Sequence, residues 1–298
     1  MDSTGPPRRR ALLAGGLAAL AGALSACTAA GSPRGAGTGA RPEAAAPNAT
    51  PATPVTPDAA FARLMEGNRR WVEGSLQHPD RDPTRRELVA QSQMPFGVVL
   101  SCIDSRVAPE LVFDTGLGDL YVLRTGGQAV GPVVTGSVEY GPVTGGTPLV
   151  FVLGHQRCGA IEAAYKALRD GKDLPGNLRA VQQALKPAYV QVAKEGGTGD
   201  PVDRMIRAQI KLTADDLRAN AALAPLVRKG SLVVVGGYYS LDTGEVEVLT
   251  GAPSGAATPS PAGTGAATPG PSAHPEPSGT PAPRGTVPMG TMPVGTPS

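Results

Sequence analysis

Aromatic side chains are scarce in this 298-residue sequence: one Trp, four Phe and six Tyr, 4% of the chain. Part of that scarcity is dilution by two long stretches of small residues at either end. Cysteine is scarcer still, with only Cys27, Cys102 and Cys158, which excludes a fold stapled by a disulfide framework. Excess charge is missing too. The formal net charge is +2, and Arg8, Arg9, Arg10 and Asp2 in the first 26 residues supply all of it (three minus one), so the remainder balances at zero. No basic field remains for nucleic acid. Beyond the first 27 residues no apolar run approaches the length of a membrane-spanning helix. There is no internal repeat, no Gly-x-x-x-x-Gly-Lys phosphate loop and no dinucleotide glycine pattern.

What is present begins with an address. Arg8-Arg9-Arg10, then Ala11-Leu12-Leu13 and a Gly/Ala/Leu run, then Leu24-Ser25-Ala26-Cys27 have the order of an export signal: basic head, short apolar body, small residues before a cut. The arginines before Ala11 look like a twin-arginine signal, and the last four residues resemble a bacterial lipoprotein box with Cys27 as the lipidated residue. A plain uncleaved anchor is the competing reading. Residues 28–56 and 252–298 consist mainly of Ala, Gly, Pro, Thr and Ser. Such composition cannot bury enough apolar surface to offset chain entropy, so a disordered tether and a disordered tail are expected. Residues 57–251 remain as one foldable domain. The protein is therefore expected in the cell envelope, touching the membrane only through a lipid anchor.

Within that domain Thr56-Pro57-Asp58 starts a helix, with Phe61, Leu64, Met65, Asn68, Trp71 and Val72 at helical spacing. Thr84 and Glu87 have capping-box spacing for a second. Two short apolar runs, 96–100 and 148–153, read as central strands of a parallel sheet. Each is followed by a helical pattern, at 109–113 and 160–168. Further helices are expected at 177–194, interrupted by Pro187, and at 200–220. Strands are expected at 231–235 and 245–249, joined by a turn at 241–244. The fold class is α/β, with a mostly parallel central sheet flanked by helices.

In such sheets ligands gather beyond the carboxyl ends of the strands. The first central strand runs straight into Cys102 and the second into His155, with Cys158 three residues on. Two thiolates and an imidazole suit one Zn2+ per chain, with a fourth position open for water. Two thiolates cancel the ion's charge and acidify that water less than three histidines would, so a nearby helper is useful. Asp104 and Arg106 offer one: a carboxylate kept ionised by a guanidinium can accept the proton of zinc-bound hydroxide and aim its lone pair. Each residue also has a plainer role. Cys102 is compatible with a buried core position, His155 with a satisfied buried histidine, Asp104 with a helix cap, and Cys102 with a disulfide to Cys158.

Cys102-x-Asp104-x-Arg106 with His155-x-x-Cys158-Gly159 resembles the β-class carbonic anhydrases. The likeness extends to Gly67-Asn68, Arg124, Gly136-Ser137-Val138-Glu139-Tyr140, Gly154, Ala160, Gly236-Gly237-Tyr238 and Asp242-Thr243-Gly244, so it covers the foldable region and neither tail. It implies zinc on Cys102, His155 and Cys158, a catalytic Asp104–Arg106 dyad, substrate contacts from Gln93 and the Gly159 N–H, and pocket aromatics Tyr121 and Tyr140. It further implies a homodimer or higher even oligomer, in which Gln93 and Tyr121 serve the neighbouring chain's zinc. Three departures stand out. Tyr121 replaces the usual phenylalanine, Gly126 empties part of the pocket wall, and Gln128 lengthens an amide. The activity so implied is reversible hydration of CO2 to bicarbonate. A CS2 or COS hydrolase on the same scaffold and a non-catalytic zinc-binding surface lipoprotein are the alternatives. His78, the other histidine of the foldable region, is expected to be an exposed loop residue rather than a proton shuttle.

Overall fold

The computed structural model describes residues 55–253. The signal, Cys27 and most of the tether and tail lie outside the described residues. Five strands form one sheet in the order β2-β1-β3-β4-β5: β1 Gly97–Cys102, β2 Leu120–Thr125, β3 Leu149–His155, β4 Val233–Tyr239 and β5 Val246–Thr250. All pairs are parallel except β4 with β5, which closes the sheet as an antiparallel edge. Every residue of β1 and β3 is buried, as expected for strands covered by helices on both faces.

The helices are α1 Pro57–Glu73, α2 Pro83–Val89, α3 Pro109–Val112, α4 Pro132–Gly145, α5 Gly159–Arg169, α6 Leu178–Glu195, α7 Pro201–Ala219 and α8 Ala224–Arg228. On one face of the sheet Val98, Leu100, Val150 and Val152 pack against Ile161, Leu185 and Ile210 of α5, α6 and α7. On the other, Val99, Leu149, Phe151 and Leu153 pack against Phe61 and Leu64 of α1 and Val112 of α3, with Phe113 beside them. Two-residue alternation along β1 puts Cys102 on the Val98 and Leu100 face. Within that face Cys102 belongs to the buried core and is 2% exposed.

Thr56 caps α1 by accepting from the Ala59 N–H. α2 begins two residues earlier than a Thr84 cap would start it. Asp82 is the cap, accepting from the Arg85 N–H at 2.9 Å, because an Asp followed by Pro83 at the first helical position supplies both the acceptor and the preset φ. Pro187 does not interrupt its helix. α6 runs through it, held on both sides by buried Gln182, Leu185, Ala188 and Val192, which outweigh one missing backbone bond. β2 and α4 carry no clear sequence signal. β2 is a half-buried edge strand, and α4 is rich in Gly, Pro and Val, all poor helix formers. Gly141 must be glycine because a Cβ there would lie 2.9 Å from the Tyr121 ring and 3.0 Å from Val98.

Gly67 and Asn68 lock α1 down. The Asn68 side chain donates to the carbonyls of Val112 and Gly244 and accepts from the Val246 N–H. A Cβ on Gly67 would stand 1.8 Å from the Phe113 carbonyl oxygen, so α1 would have to lift from α3. Gly67→Ala is expected to destabilise the domain by roughly 2 kcal/mol or more, as overpacking against backbone does. Chemical denaturation checks this, and an unchanged midpoint would refute the close approach.

Candidate metal centre and active site

The ends of β1 and β3 are neighbours, since Ser101 pairs with Leu153. That adjacency brings together three residues that are 56 positions apart at the extremes. The ligating atoms of Cys102, His155 and Cys158 all lie within 4.8 Å of one another, and all three residues are buried. Cys158 sits at the N-cap position of α5, where its sulfur faces that of Cys102. The Cys102 and Cys158 sulfurs are 3.7 Å apart, far beyond the ~2.05 Å of a disulfide. A tetrahedral ion with bonds of about 2.3 Å separates two sulfurs by roughly 3.8 Å. The spacing fits a metal.

His155 is completely buried. Its Nδ1 lies 2.9 Å from the Gln156 carbonyl oxygen, which assigns the ring proton to Nδ1 and leaves Nε2 a lone-pair donor. Nε2 is buried and has no hydrogen-bond partner among the described residues, a costly state unless a cation takes it. The thiols are poised in the same sense. Cys102 is pulled down to about 4 by hydrogen bonding from Cys158, helped by His155 and the Gly127 N–H. Cys158 is pushed up by that same bond and by burial. Without metal the pair shares a proton, and a dication displaces it.

Asp104 stands beside the cluster, its Oδ2 3.8 Å from His155 Nε2. Three donors of Arg106 hold it: the backbone N–H at 3.0 Å and the guanidinium at 2.9 and 2.7 Å. That grip keeps the carboxyl well below the usual carboxylate range, against the opposing pull of burial. Arg106 also donates to the Arg157 carbonyl, and Arg157 is paired with Asp242 in the β4–β5 turn. Gly159 opens α5, and nothing lies within 4 Å of where its Cβ would be. Its neighbour Gly154 has no such freedom, since a Cβ there would meet Ile210 at 2.4 Å and the Gln128 amide at 2.8 Å.

Three expected pocket residues stand apart from this chain's own Cys–His–Cys set. Gln93 precedes β1, exposed, whereas Cys102 ends that strand. Tyr121 pairs with Val98, four residues and so about 13 Å short of the Thr125 that faces Cys102. Tyr140 stacks edge-on against Tyr121 at 5.8 Å. With Val133 and Ser137 these tyrosines line an open groove of about 530 Å³ along the exposed edge of β2. Gly126 does not open the pocket wall. A Cβ there would point at Val181 of α6, 3.3 Å away, and Ala160, so this glycine relieves crowding in the core. Gln128 is buried with φ 46°. His78 is an exposed loop residue, its N–H bonded to Asp114. Two contacts escaped sequence reasoning, the Gly127 N–H on the Cys102 sulfur and the Arg124 guanidinium on nearby carbonyls.

A mostly parallel α/β sheet that carries a buried Cys–His–Cys set at its carboxyl edge, with an ionised carboxylate beside it, has the donor set of a zinc enzyme. The carbonic anhydrase family profile matches residues 97–246. Carbonic anhydrase 2 of Mycobacterium tuberculosis is 39% identical over 191 residues, 64% of this chain and 91% of that protein. The carbonic anhydrase of Mycolicibacterium smegmatis is 37% identical over 193 residues, covering 64% and 93%. Among solved structures, a Coccomyxa β-carbonic anhydrase in complex with acetazolamide is 26% identical with a TM-score of 0.50, over 63% of this chain and 86% of that one. A tetrameric β-carbonic anhydrase from Sordaria macrospora, 22% identical with a TM-score of 0.51 over 63% and 96%, shares the fold. The chain belongs to the carbonic anhydrase family, in its β class. It is an enzyme of the carbonate dehydratase type, and its metal is zinc.

Proposed function

We propose that this chain hydrates CO2 reversibly to bicarbonate at one zinc held by Cys102, His155 and Cys158, with Asp104 and Arg106 as the working dyad. The observation that carries this reading is the Asp104 carboxylate, fixed by three Arg106 bonds 3.8 Å from the unpartnered His155 Nε2. A site that merely stores zinc needs neither residue. Bound zinc supplies an acidified water as nucleophile near neutral pH. With zinc bound, Asp104 Oδ2 would accept a hydrogen bond from that water and turn its lone pair toward the carbon of CO2. The Gly159 N–H, at the start of α5, donates to the substrate oxygen that gains charge. Asp104 stays partly open to water, its side chain 15% exposed, so a proton can pass outward from Oδ2.

The pocket is completed by a second copy of the chain. Gln93 and Tyr121 stand at the amino end of the sheet and cannot reach their own zinc ligands, while the groove along β2 exposes Val133 at 84% and Tyr140 at 53%. Pairing across that edge buries both residues and brings Gln93 and Tyr121 to the partner's metal. The homodimer is its simplest form, and higher even assemblies build on it.

Residues 1–27 are read as an export signal ending in lipidated Cys27, residues 28–56 as a tether, 57–251 as the catalytic domain and 252–298 as a tail, which places the enzyme at the cell envelope. The support is the order of basic head, apolar body and cysteine box. No helix among the described residues is long and apolar enough to cross a membrane. Cys27→Ser should release the protein from the membrane fraction, and undiminished retention retires the anchor.

The central test is CO2 hydration by purified protein with and without a chelator, alongside metal analysis. About one zinc per chain and chelator-sensitive hydration are expected. Zinc-loaded protein inert toward CO2 at pH 8 to 9 would sink the proposal.

A further inference from the structure

The chain leaves the sheet directly after Cys102, with the Ile103 N–H on the Thr125 carbonyl as the last ladder-like bond at 3.1 Å. Two carbonyls flank Ile103, those of Cys102 and Asp104, and the second also accepts from the Val107 N–H at 3.0 Å. Arg124 takes both. From β2, where its neighbour in register is Ser101, it donates its Nε–H to the Cys102 carbonyl at 2.9 Å and a terminal N–H to the Asp104 carbonyl at 2.6 Å. A planar guanidinium with donors at fixed angles can span two acceptors at set spacing, and an ammonium cannot. Asp104 is thus gripped by two arginines, its side chain by Arg106 and its main chain by Arg124. Only Arg124 also holds the ligand Cys102.

We infer that Arg124 is a positioning residue for the reaction: by bridging the Cys102 and Asp104 carbonyls it sets the distance between a zinc-ligating thiol and the carboxylate that works beside the metal. This rests on the dyad reading above. Arg124 bonds main-chain carbonyls rather than the ligating sulfur or the Asp104 carboxylate, so it acts through the 102–104 turn. Loss of the bridge leaves three ligands in place and lets the Asp104 backbone drift. Metal content is unchanged, while the geometry around the metal and the rate are not.

The test uses the full chain with Arg124→Ala and Arg124→Lys, each loaded with zinc and, separately, with cobalt. Expected in both are wild-type metal content, faster amide hydrogen exchange across residues 101–107, and a shifted visible spectrum of bound cobalt. The hydration kcat should fall two- to tenfold, the scale of one or two lost hydrogen bonds, with KM little changed. Arg124→Lys keeps the charge and most of the length, so it should recover less than half of the loss. Wild-type exchange and cobalt spectra in both variants overturn the inference. Full recovery of exchange, spectrum and rate by lysine also overturns it, because charge and not the bridge would then suffice. Should Arg124→Ala fail to fold, Arg124→Lys alone decides. Exchange and cobalt spectra do not require CO2 turnover, so a wild-type protein inert toward CO2 refutes the function while the clamp is still judged.

Discussion

Asp104→Asn leaves the zinc in place and lowers CO2 hydration by about two orders of magnitude or more, the contribution of a positioned proton acceptor. The substitution keeps size and hydrogen-bonding reach but removes the charge that three Arg106 donors stabilise. An amide at Oδ2 can donate toward the metal site as readily as accept, so the nucleophile is no longer held with its lone pair outward. Metal analysis separates this from a second arrangement. With Oδ2 only 3.8 Å from His155 Nε2, a small shift would bring the carboxylate onto the metal as a fourth ligand. If Asn causes zinc to leave, Asp104 is that ligand and the resting site is closed. If zinc stays and turnover is unaffected, the dyad does not work as described.

The second large effect concerns metal removal. Stripped of zinc and exposed to oxidised glutathione, the protein should lose two titratable thiols and fail to take zinc again until a reductant is added. The sulfurs need to close from 3.7 Å to about 2.05 Å. The chemistry balances: Cys102, held as thiolate by its neighbours, attacks the glutathione disulfide and releases one glutathione thiol, and Cys158 then displaces the other. Zinc-loaded protein should resist the same treatment, because both sulfurs are engaged. Thiol titration with zinc analysis reads the outcome, and metal-free protein that keeps its thiols and reloads freely would contradict it. Should the N-terminal signal export the chain as proposed, zinc must be loaded before the protein meets an oxidising envelope.

How much of this was legible in the sequence follows burial. β1 and β3, apolar on both faces, announced themselves, and they deliver Cys102 and His155 to adjacent strand ends as their runs implied. The turn at 241–244 also read correctly, although the hold of Asn68 on its Gly244 carbonyl had no sequence signal. β2 was silent because an edge strand needs no continuous apolar run, and α4 because its glycines and prolines serve a close approach to Tyr121 rather than helix propensity. Pro187 misled in the opposite direction, a local rule overruled by packing on both sides. At the site, residue types with metal chemistry could be read directly. The contacts of Arg124 and of the Gly127 N–H could not, since an arginine on carbonyls and a backbone donor on sulfur have no pattern of their own.

The placement of Gln93 and Tyr121 at the far end of the sheet from their own Cys102 has a genetic corollary. In the dimer proposed above each pocket borrows from two polypeptides, so two defective alleles should restore one another. A chain without Cys158 cannot hold zinc yet still lends its Gln93; a chain without Gln93 still holds zinc. Coexpressed, they form mixed pairs in which one pocket is whole, roughly a quarter of all pockets under random pairing. Inactive parents would then yield active offspring.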